Sequence, residues 1–252
     1  MKQTVIKFGI IVASIGLSTL ASATTPFSSN QQEQIQKIVH DYLVTNPQVL
    51  IEASAALQKQ QNEQAQKAAL ATIQANKDSL FRNTSSPVYG NPKGNITVVE
   101  FYDYQCGHCK AMTSVIDRIL ADNKNIRVIS KDMPIFGKNS LYAAKASIAA
   151  FQLNAKKYHQ LHNELMEKSD PLDTATINNI IKQNGYDLSK INTIVNAQSS
   201  NVQINQTMRL AQDMKLRGTP AFIIANKDLT RFEFVPGATS ATNLQAIINS
   251  LQ

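Results

Sequence analysis

The stretch Tyr104-Gln105-Cys106-Gly107-His108-Cys109-Lys110 holds both cysteines of the 252-residue chain, separated by one glycine and one histidine. A disulfide closing so short a loop constrains the unfolded chain by only about 2 kcal/mol on the chain-entropy relation, so it is a poor structural staple. What remains for the pair is metal binding, haem attachment or reversible redox chemistry. Haem attachment needs a histidine directly after the second cysteine, and Lys110 stands there. Zinc would need further ligands. His159 and His162 are too closely spaced for the usual second half of such a site, and they lie far from the cysteines. These two histidines, like His40, are expected on wet helix faces.

The flanking pattern favours redox chemistry. Ile96-Thr97-Val98-Val99-Glu100-Phe101-Tyr102 is a β-rich run short enough for a central strand. Helical periodicity resumes with Met112, Val115, Ile116 and Ile119, which puts Cys106 at or near a helix amino terminus. Main-chain N–H groups and the helix dipole at such an end favour an anion, here the Cys106 thiolate. A protonated His108 adds positive charge beside that sulfur, and a stabilised thiolate makes the disulfide a better oxidant.

The start of the chain bears on where this chemistry takes place. Lys2 and Lys7 flank the opening of an apolar run, Phe8 to Leu20, followed by Ala21-Ser22-Ala23, the small-x-small pattern of a cleavage site. Residues 1–23 therefore read as a secretory signal. The run falls short of the ~20 apolar residues of a membrane span, and no later segment approaches that length. The mature protein is expected to be soluble, in an oxidising compartment where disulfides persist. The signal takes two of the 25 basic residues and none of the 18 acidic ones, leaving a formal +5. No Lys/Arg run interleaves with aromatic residues, so a nucleic-acid partner is not expected.

Residues 28 to about 82 are rich in Gln and Ala and contain no glycine. Ile35, Ile38, Val39, Tyr42 and Leu43 recur at helical spacing; Asn46-Pro47 then opens a second helix whose sparse stripe is Leu50, Ala53, Leu57, Ala65, Ala69 and Ile73. Helices this polar, with a narrow apolar edge, cannot build a core alone. Residues 24–85 are thus expected to form a stalk or oligomerisation region, with a homodimer the favoured assembly. Turn formers cluster at 83–87 and 90–95, which places a domain boundary near Ser86 and leaves 86–252 to build a full core.

Strand, CxxC, helix and a distant Thr219-Pro220 before the apolar run Ala221 to Ala225 resemble the thioredoxin fold. The segments VVEFYDYQCGHC and RGTPAFII resemble the DsbA family of bacterial periplasmic thiol:disulfide interchange proteins, over most of 86–252. The resemblance implies an α/β, thioredoxin-like fold with a helical insertion at about 140–212, preceded here by the amino-terminal α-helical segment. It implies that Cys106 is the exposed attacking sulfur, Cys109 the buried resolving one, and Pro220 a cis proline opposite them. Thr219, just before that proline, would pair with an extended substrate strand. Glu100, six residues before Cys106, would be a buried acid exchanging a proton with Cys109. Lys131, at the end of a strand from Ile126 to Ser130, is either its charge partner or, as most lysines are, a surface residue.

The family reading further implies no metal and no cofactor beyond the redox-active Cys106–Cys109 disulfide. Its substrates would be unfolded or misfolded exported proteins in the periplasm of a Gram-negative bacterium, and its own redox partner a membrane protein. One departure separates this chain from the best-known oxidase of the family, which has proline where Gly107 stands; Gly-His is the dipeptide of eukaryotic disulfide isomerases. Oxidation and isomerisation of disulfides both remain open. The alternative from a different class is a secreted helical scaffold carrying a vestigial thioredoxin module, against which the intact set Cys106, Cys109, Glu100 and Thr219-Pro220 argues.

Overall fold

The structure is a computed structural model and describes residues 27–169 and 171–252. The signal expected at 1–23 lies outside the described residues. The chain divides into two compact units that meet in sequence between Gln58 and Lys59. Among the described residues no helix is long and apolar enough to cross a membrane.

In the first unit, α1 (Ser29–Thr45) is opened by a reciprocal cap: the Gln31 N–H donates to the Ser28 hydroxyl, and the Ser28 N–H donates to the Gln31 side chain. The Asn46 N–H closes the helix on the Tyr42 carbonyl. The long helix α2 (Gln48–Ala75) begins directly after Pro47, as a proline at a helix start allows. Ile35, Ile38, Val39, Tyr42 and Leu50 are all exposed in the single chain.

The second unit begins at Lys59, well upstream of the turn at Ser86 where composition alone puts a boundary. The reason is burial. Ile73 near the end of α2, with Leu80 and Phe81 on a π-helical turn at Asp78–Arg82, joins Val99, Phe101, Ile129 and Ile223 in one apolar cluster. That cluster covers one face of a five-stranded sheet of order β1-β3-β2-β4-β5, comprising β1 (Val88–Gly90), β2 (Ile96–Tyr102), β3 (Ile126–Asp132), β4 (Ala221–Asn226) and β5 (Phe232–Val235). Strands β2 and β3 are parallel; the other pairings are antiparallel. The parallel pair needs a crossover, which α3 (Gly107–Asp122) supplies.

Alternation along β2 sorts its side chains between the two faces. Ile96 and Val98 pack with Met112, Ile116 and Ile119 of α3 and with Leu244 and Ile248 of α9 (Ala241–Leu251), while Val99 and Phe101 point into the opposite cluster. All seven residues of β2 are buried, as befits a strand covered on both faces. Gly90, at the end of β1, has φ +76°, and a Cβ there would lie 2.6 Å from the Ile126 carbonyl oxygen, so only glycine lets β1 approach β3 at that point. Between β3 and β4 the insertion comprises five helices: α4 (Lys138–Leu153), α5 (Tyr158–Glu167), α6 (Thr174–Gln183), α7 (Leu188–Asn196) and α8 (Gln198–Asp213).

Replacing Ile73, which is wholly buried, by alanine is expected to destabilise the second unit by about 2–4 kcal/mol. Leu57→Ala, in the first unit and exposed in the single chain, should change the unfolding free energy of the second unit by less than about 0.5 kcal/mol. Urea unfolding followed by circular dichroism checks both.

Candidate active site

The cysteines sit where β2 hands over to α3. The strand ends at Tyr102, the chain turns through 103–105, and Cys106 caps the helix in extended conformation (φ −77°, ψ 115°), with Gly107 and exposed His108 in its first turn. The Cys106 carbonyl accepts the Lys110 N–H at 3.0 Å, the first hydrogen bond of the helix. The sulfur is thus set beside unpaired N–H groups at the positive end of the dipole.

Across from the turn, Thr219-Pro220 forms a cis peptide immediately before β4. The antiparallel register of β2 and β4, with Phe101 opposite Ala221, carries it there. The Cys106 Sγ–H donates to the Thr219 carbonyl at 3.3 Å. Cys106 is consequently only 4 % exposed, more enclosed than an exposed attacking sulfur implies, because the Thr219 carbonyl lies over it; Cys109 is wholly buried. Burial pushes the Cys109 thiol well up.

Glu100 is buried, on the same face of β2 as Tyr102. Burial raises its carboxyl to about 8, opposed by a hydrogen bond from Tyr89. Lys131 is not its partner. Glu100 pairs in register with Ser130, and Lys131 pairs with Phe101, so the two side chains leave the sheet on opposite faces. Nor is Lys131 a surface residue: β3 continues to Asp132, and Lys131 is 2 % exposed, its Nζ donating to the Ser79 carbonyl at 2.7 Å and the Ser86 hydroxyl at 2.8 Å. Burial lowers its ammonium to about 8.

A buried polar seam beside the cysteines escaped the sequence reading. The Tyr102 hydroxyl donates to Asp132 at 2.9 Å and lies 3.2 Å from the Tyr158 hydroxyl and 3.3 Å from that of Tyr104. The Tyr104 hydroxyl is 3.0 Å from His162 Nδ1. Tyr102 and Tyr104 belong to the same apolar cluster as Cys106 and Cys109. Burial lifts Asp132 to about 8 and lowers His162 to about 3. The expectation of a wet His162 is therefore corrected: it lies on the inner face of α5, turned toward the tyrosines of the sheet. His159, one turn earlier, is half-exposed and pairs with Asp117 of α3 at 3.0 Å, while His40 is exposed as expected. The sequence signal for the seam was available in the two tyrosines flanking Asp103 and in the acid following Lys131. Nothing in their spacing announces that they meet residues of α5.

Around this turn, polar side chains hold the neighbouring loops. Gln105 accepts the Leu172 N–H at 2.9 Å and donates to the Leu172 carbonyl, and the Lys110 ammonium donates to the Lys168 carbonyl. Among the described residues no cluster of His, Cys, Asp and Glu suits a metal ion.

The family model described as a DSBA-like thioredoxin domain matches residues 97–249, and that of the copper resistance protein ScsC N-terminal domain matches 31–64. The thiol:disulfide interchange protein DsbA of Bordetella parapertussis is 24% identical over 163 residues, covering 62% of this chain and 76% of that protein. Among solved structures, the thiol-disulfide exchange protein α-DsbA2 of Wolbachia pipientis is 30% identical with a TM-score of 0.67, over 74% of this chain and 97% of that one. BcfH of Salmonella enterica Typhimurium is 27% identical with a TM-score of 0.75, over 88% and 96%.

The seam makes stability depend on pH. Asp132 keeps its proton in the folded protein to about 8, whereas its ordinary value is 3.8. Between these limits the unfolded chain binds fewer protons, so stability falls as pH rises, by at most about 1.4 kcal/mol per unit for this group. Asp132→Asn removes that contribution. Its unfolding free energy relative to the parent is expected to improve progressively from about pH 5 to about pH 8, as measured by urea unfolding at each pH.

Proposed function

The chain belongs to the DSBA-like thioredoxin domain family, and from that premise we propose that it is a periplasmic thiol-disulfide oxidoreductase that introduces or isomerises disulfides in exported proteins. The observation that carries this reading is the placement of Cys106 at the start of α3 with its sulfur 3.3 Å from the carbonyl of the residue before a cis proline. That carbonyl and the Thr219 N–H belong to a chain segment able to pair with an extended peptide, which would present its own cysteine to Cys106. To reduce or isomerise, the Cys106 thiolate attacks a substrate disulfide, one substrate sulfur leaves as a thiolate, and Cys109 resolves the mixed disulfide; to oxidise, a substrate thiolate attacks Cys106 of the Cys106–Cys109 disulfide, Cys109 leaves as a thiolate, and a second substrate thiolate then releases Cys106. The exposed His108 adds positive charge beside the attacking sulfur when protonated. Glu100, protonated up to about 8, is the acid that in this reading gives its proton to a Cys109 thiolate and takes it back.

The substrates in this reading are unfolded or misfolded exported chains. The reoxidising or reducing partner is a membrane protein. The redox-active disulfide is the only cofactor invoked. The exposed apolar stripe of α1 and the start of α2 supports self-association, with a homodimer favoured, since secreted proteins rarely leave such a stripe uncovered. Two CxxC sites on one particle could then hold one misfolded substrate between them.

Cys106→Ser is expected to abolish exchange, and Cys109→Ser to retain attack but accumulate mixed disulfides; mass spectrometry after incubation with a scrambled, disulfide-bonded ribonuclease distinguishes them. The fragment 59–252, cut where the second unit begins, is expected to be monomeric, to oxidise dithiols at the parental rate and to lose most activity on scrambled ribonuclease. Sedimentation of both forms with both assays checks this. A monomeric full-length protein would refute self-association, and a fragment that isomerises as well as the parent would remove the role assigned to the helices.

A further inference from the structure

Lys131, 2 % exposed on β3, spends its ammonium on two neutral acceptors, the Ser79 carbonyl at 2.7 Å and the Ser86 hydroxyl at 2.8 Å. An ammonium has three N–H donors, so one remains for a further partner. Among the described residues no carboxylate comes within ion-pairing distance of it. Burial lowers the group only to about 8, so at neutral pH most of its charge persists. A cation held inside a protein by neutral groups alone is costly, and lysine is almost never fully buried without an opposite charge.

The lysine stands in the wall of a cavity of about 270 Å³ in the second unit, between the π-helical turn and α8. Arg209 of α8 lines the same cavity from an exposed position and makes no ion pair or hydrogen bond among the described residues. Asn83 uses its side-chain oxygen to accept the Ser85 N–H at 2.9 Å, which leaves its NH2 to donate. Gln206 and Thr207 add further neutral donors to the wall. Asp213 is the only acid of the lining, so two cations face one carboxylate. The volume lies just below the range that takes drug-sized molecules, which suits a small ion rather than a nucleotide or a peptide. Local π-helical geometry of the kind found at Asp78–Arg82 is frequent at functional sites.

We propose that this cavity binds a small oxyanion, a carboxylate or a phosphate, with the Lys131 ammonium and the Arg209 guanidinium on its oxygens. The anion supplies the counter-charge that Lys131 does not receive from the described residues. The planar fork of Arg209 fits either oxyanion, and the Asn83 amide and Thr207 hydroxyl serve the remaining lone pairs. Lys131 leaves the sheet on the face opposite Glu100, so the site is separate from the cysteine chemistry and does not rest on the thiol-exchange reading. Because the wall is drawn from two elements, an occupant ties the π-helical turn, which Lys131 already holds through Ser79, to α8.

The test is calorimetric titration of the full-length protein with inorganic phosphate and, separately, with succinate, at fixed ionic strength. At least one is expected to bind with a Kd of about 1 mM or tighter and to raise the midpoint of thermal unfolding; the tighter of the two tells phosphate from carboxylate recognition. Lys131→Met is expected to abolish binding, Arg209→Gln to weaken it about fivefold, and Asp213→Asn, which removes the opposing charge, to tighten it about twofold. Arg118→Gln on α3, where the side chain is exposed beside Asp122, removes the same charge away from the cavity and is expected to leave the affinity within about 1.5-fold. Failure of both anions to bind at about 10 mM overturns the proposal. So does binding that survives in a folded Lys131→Met protein, that is unchanged by Arg209→Gln, or that Arg118→Gln weakens as much as Arg209→Gln. Should Lys131→Met fail to fold, the two exposed α8 positions decide, since only an anion seated between them and the lysine is weakened by one substitution and tightened by the other.

Discussion

The antiparallel register of β2 against β4, Phe101 opposite Ala221, brings Cys106 to Thr219, 113 positions further along the chain. The Cys106 turn projects from one end of β2, and Thr219-Pro220 enters β4 at the same edge of the sheet. Slipping the pairing by one residue would turn every side chain of β2 to the other face and separate the sulfur from its carbonyl partner. The register is held by burial on both faces: Val98 and Ile224 pack toward α3 and α9, Val99 and Ile223 toward the cluster built on Ile73, Leu80 and Phe81. The end of α2 and the π-helical turn therefore contribute to the site although neither touches a cysteine, by covering a face the sheet could not leave in water.

The interior that results is unusually polar beneath the cysteines. Glu100, Asp132, His162 and four tyrosines, Tyr89, Tyr102, Tyr104 and Tyr158, are buried together on the α3 and α5 side, and Lys131 is buried on the other. The acids and the histidine do not carry their full desolvation penalty as charges, because Glu100 and Asp132 keep their protons to about 8 and His162 stays neutral to about 3. The Tyr102 hydroxyl lies within hydrogen-bond distance of those of Tyr104 and Tyr158 and donates to one oxygen of Asp132, whose other oxygen has no partner among the described residues. The seam can hold protons close to a buried thiol without holding net charge, which suits a reaction in which a sulfur alternates between thiol, thiolate and disulfide. Asp103 differs in having main-chain N–H donors at both oxygens.

The amino-terminal helices follow a different rule. The capping of α1 is local, with Ser28 and Gln31 at one end and Asn46 at the other. The apolar residues of α1 and the first part of α2 are too sparse to enclose one another, and Ile35, Ile38, Val39, Tyr42, Leu50 and Leu57 lie in solvent in the single chain. Helix formation there is a matter of propensity and caps, while the stripe is left for contacts outside the chain.

Much of this was legible without coordinates. Local patterns with a short range of action specified β2 from Ile96 to Tyr102, the helix start at Cys106, the cap and proline between α1 and α2, and the burial of Glu100 on an apolar strand. Each depends on neighbours a few residues away, whose periodicity or capping chemistry is written in order along the chain. The fates of Lys131 and His162 were not legible. A lysine ending a strand and a histidine on a polar helix read as surface residues until the sheet brings Ser79 and Ser86 to the one and Tyr104 to the other. The same holds for Asp103, whose partners at 135 and 136 lie a whole helix and strand further on. Sequence determined which segments become strand and helix and where the reactive sulfurs sit. Tertiary structure alone decided which polar groups are buried with which partners, because burial and pairing arise from surfaces that meet only after the chain has closed on itself.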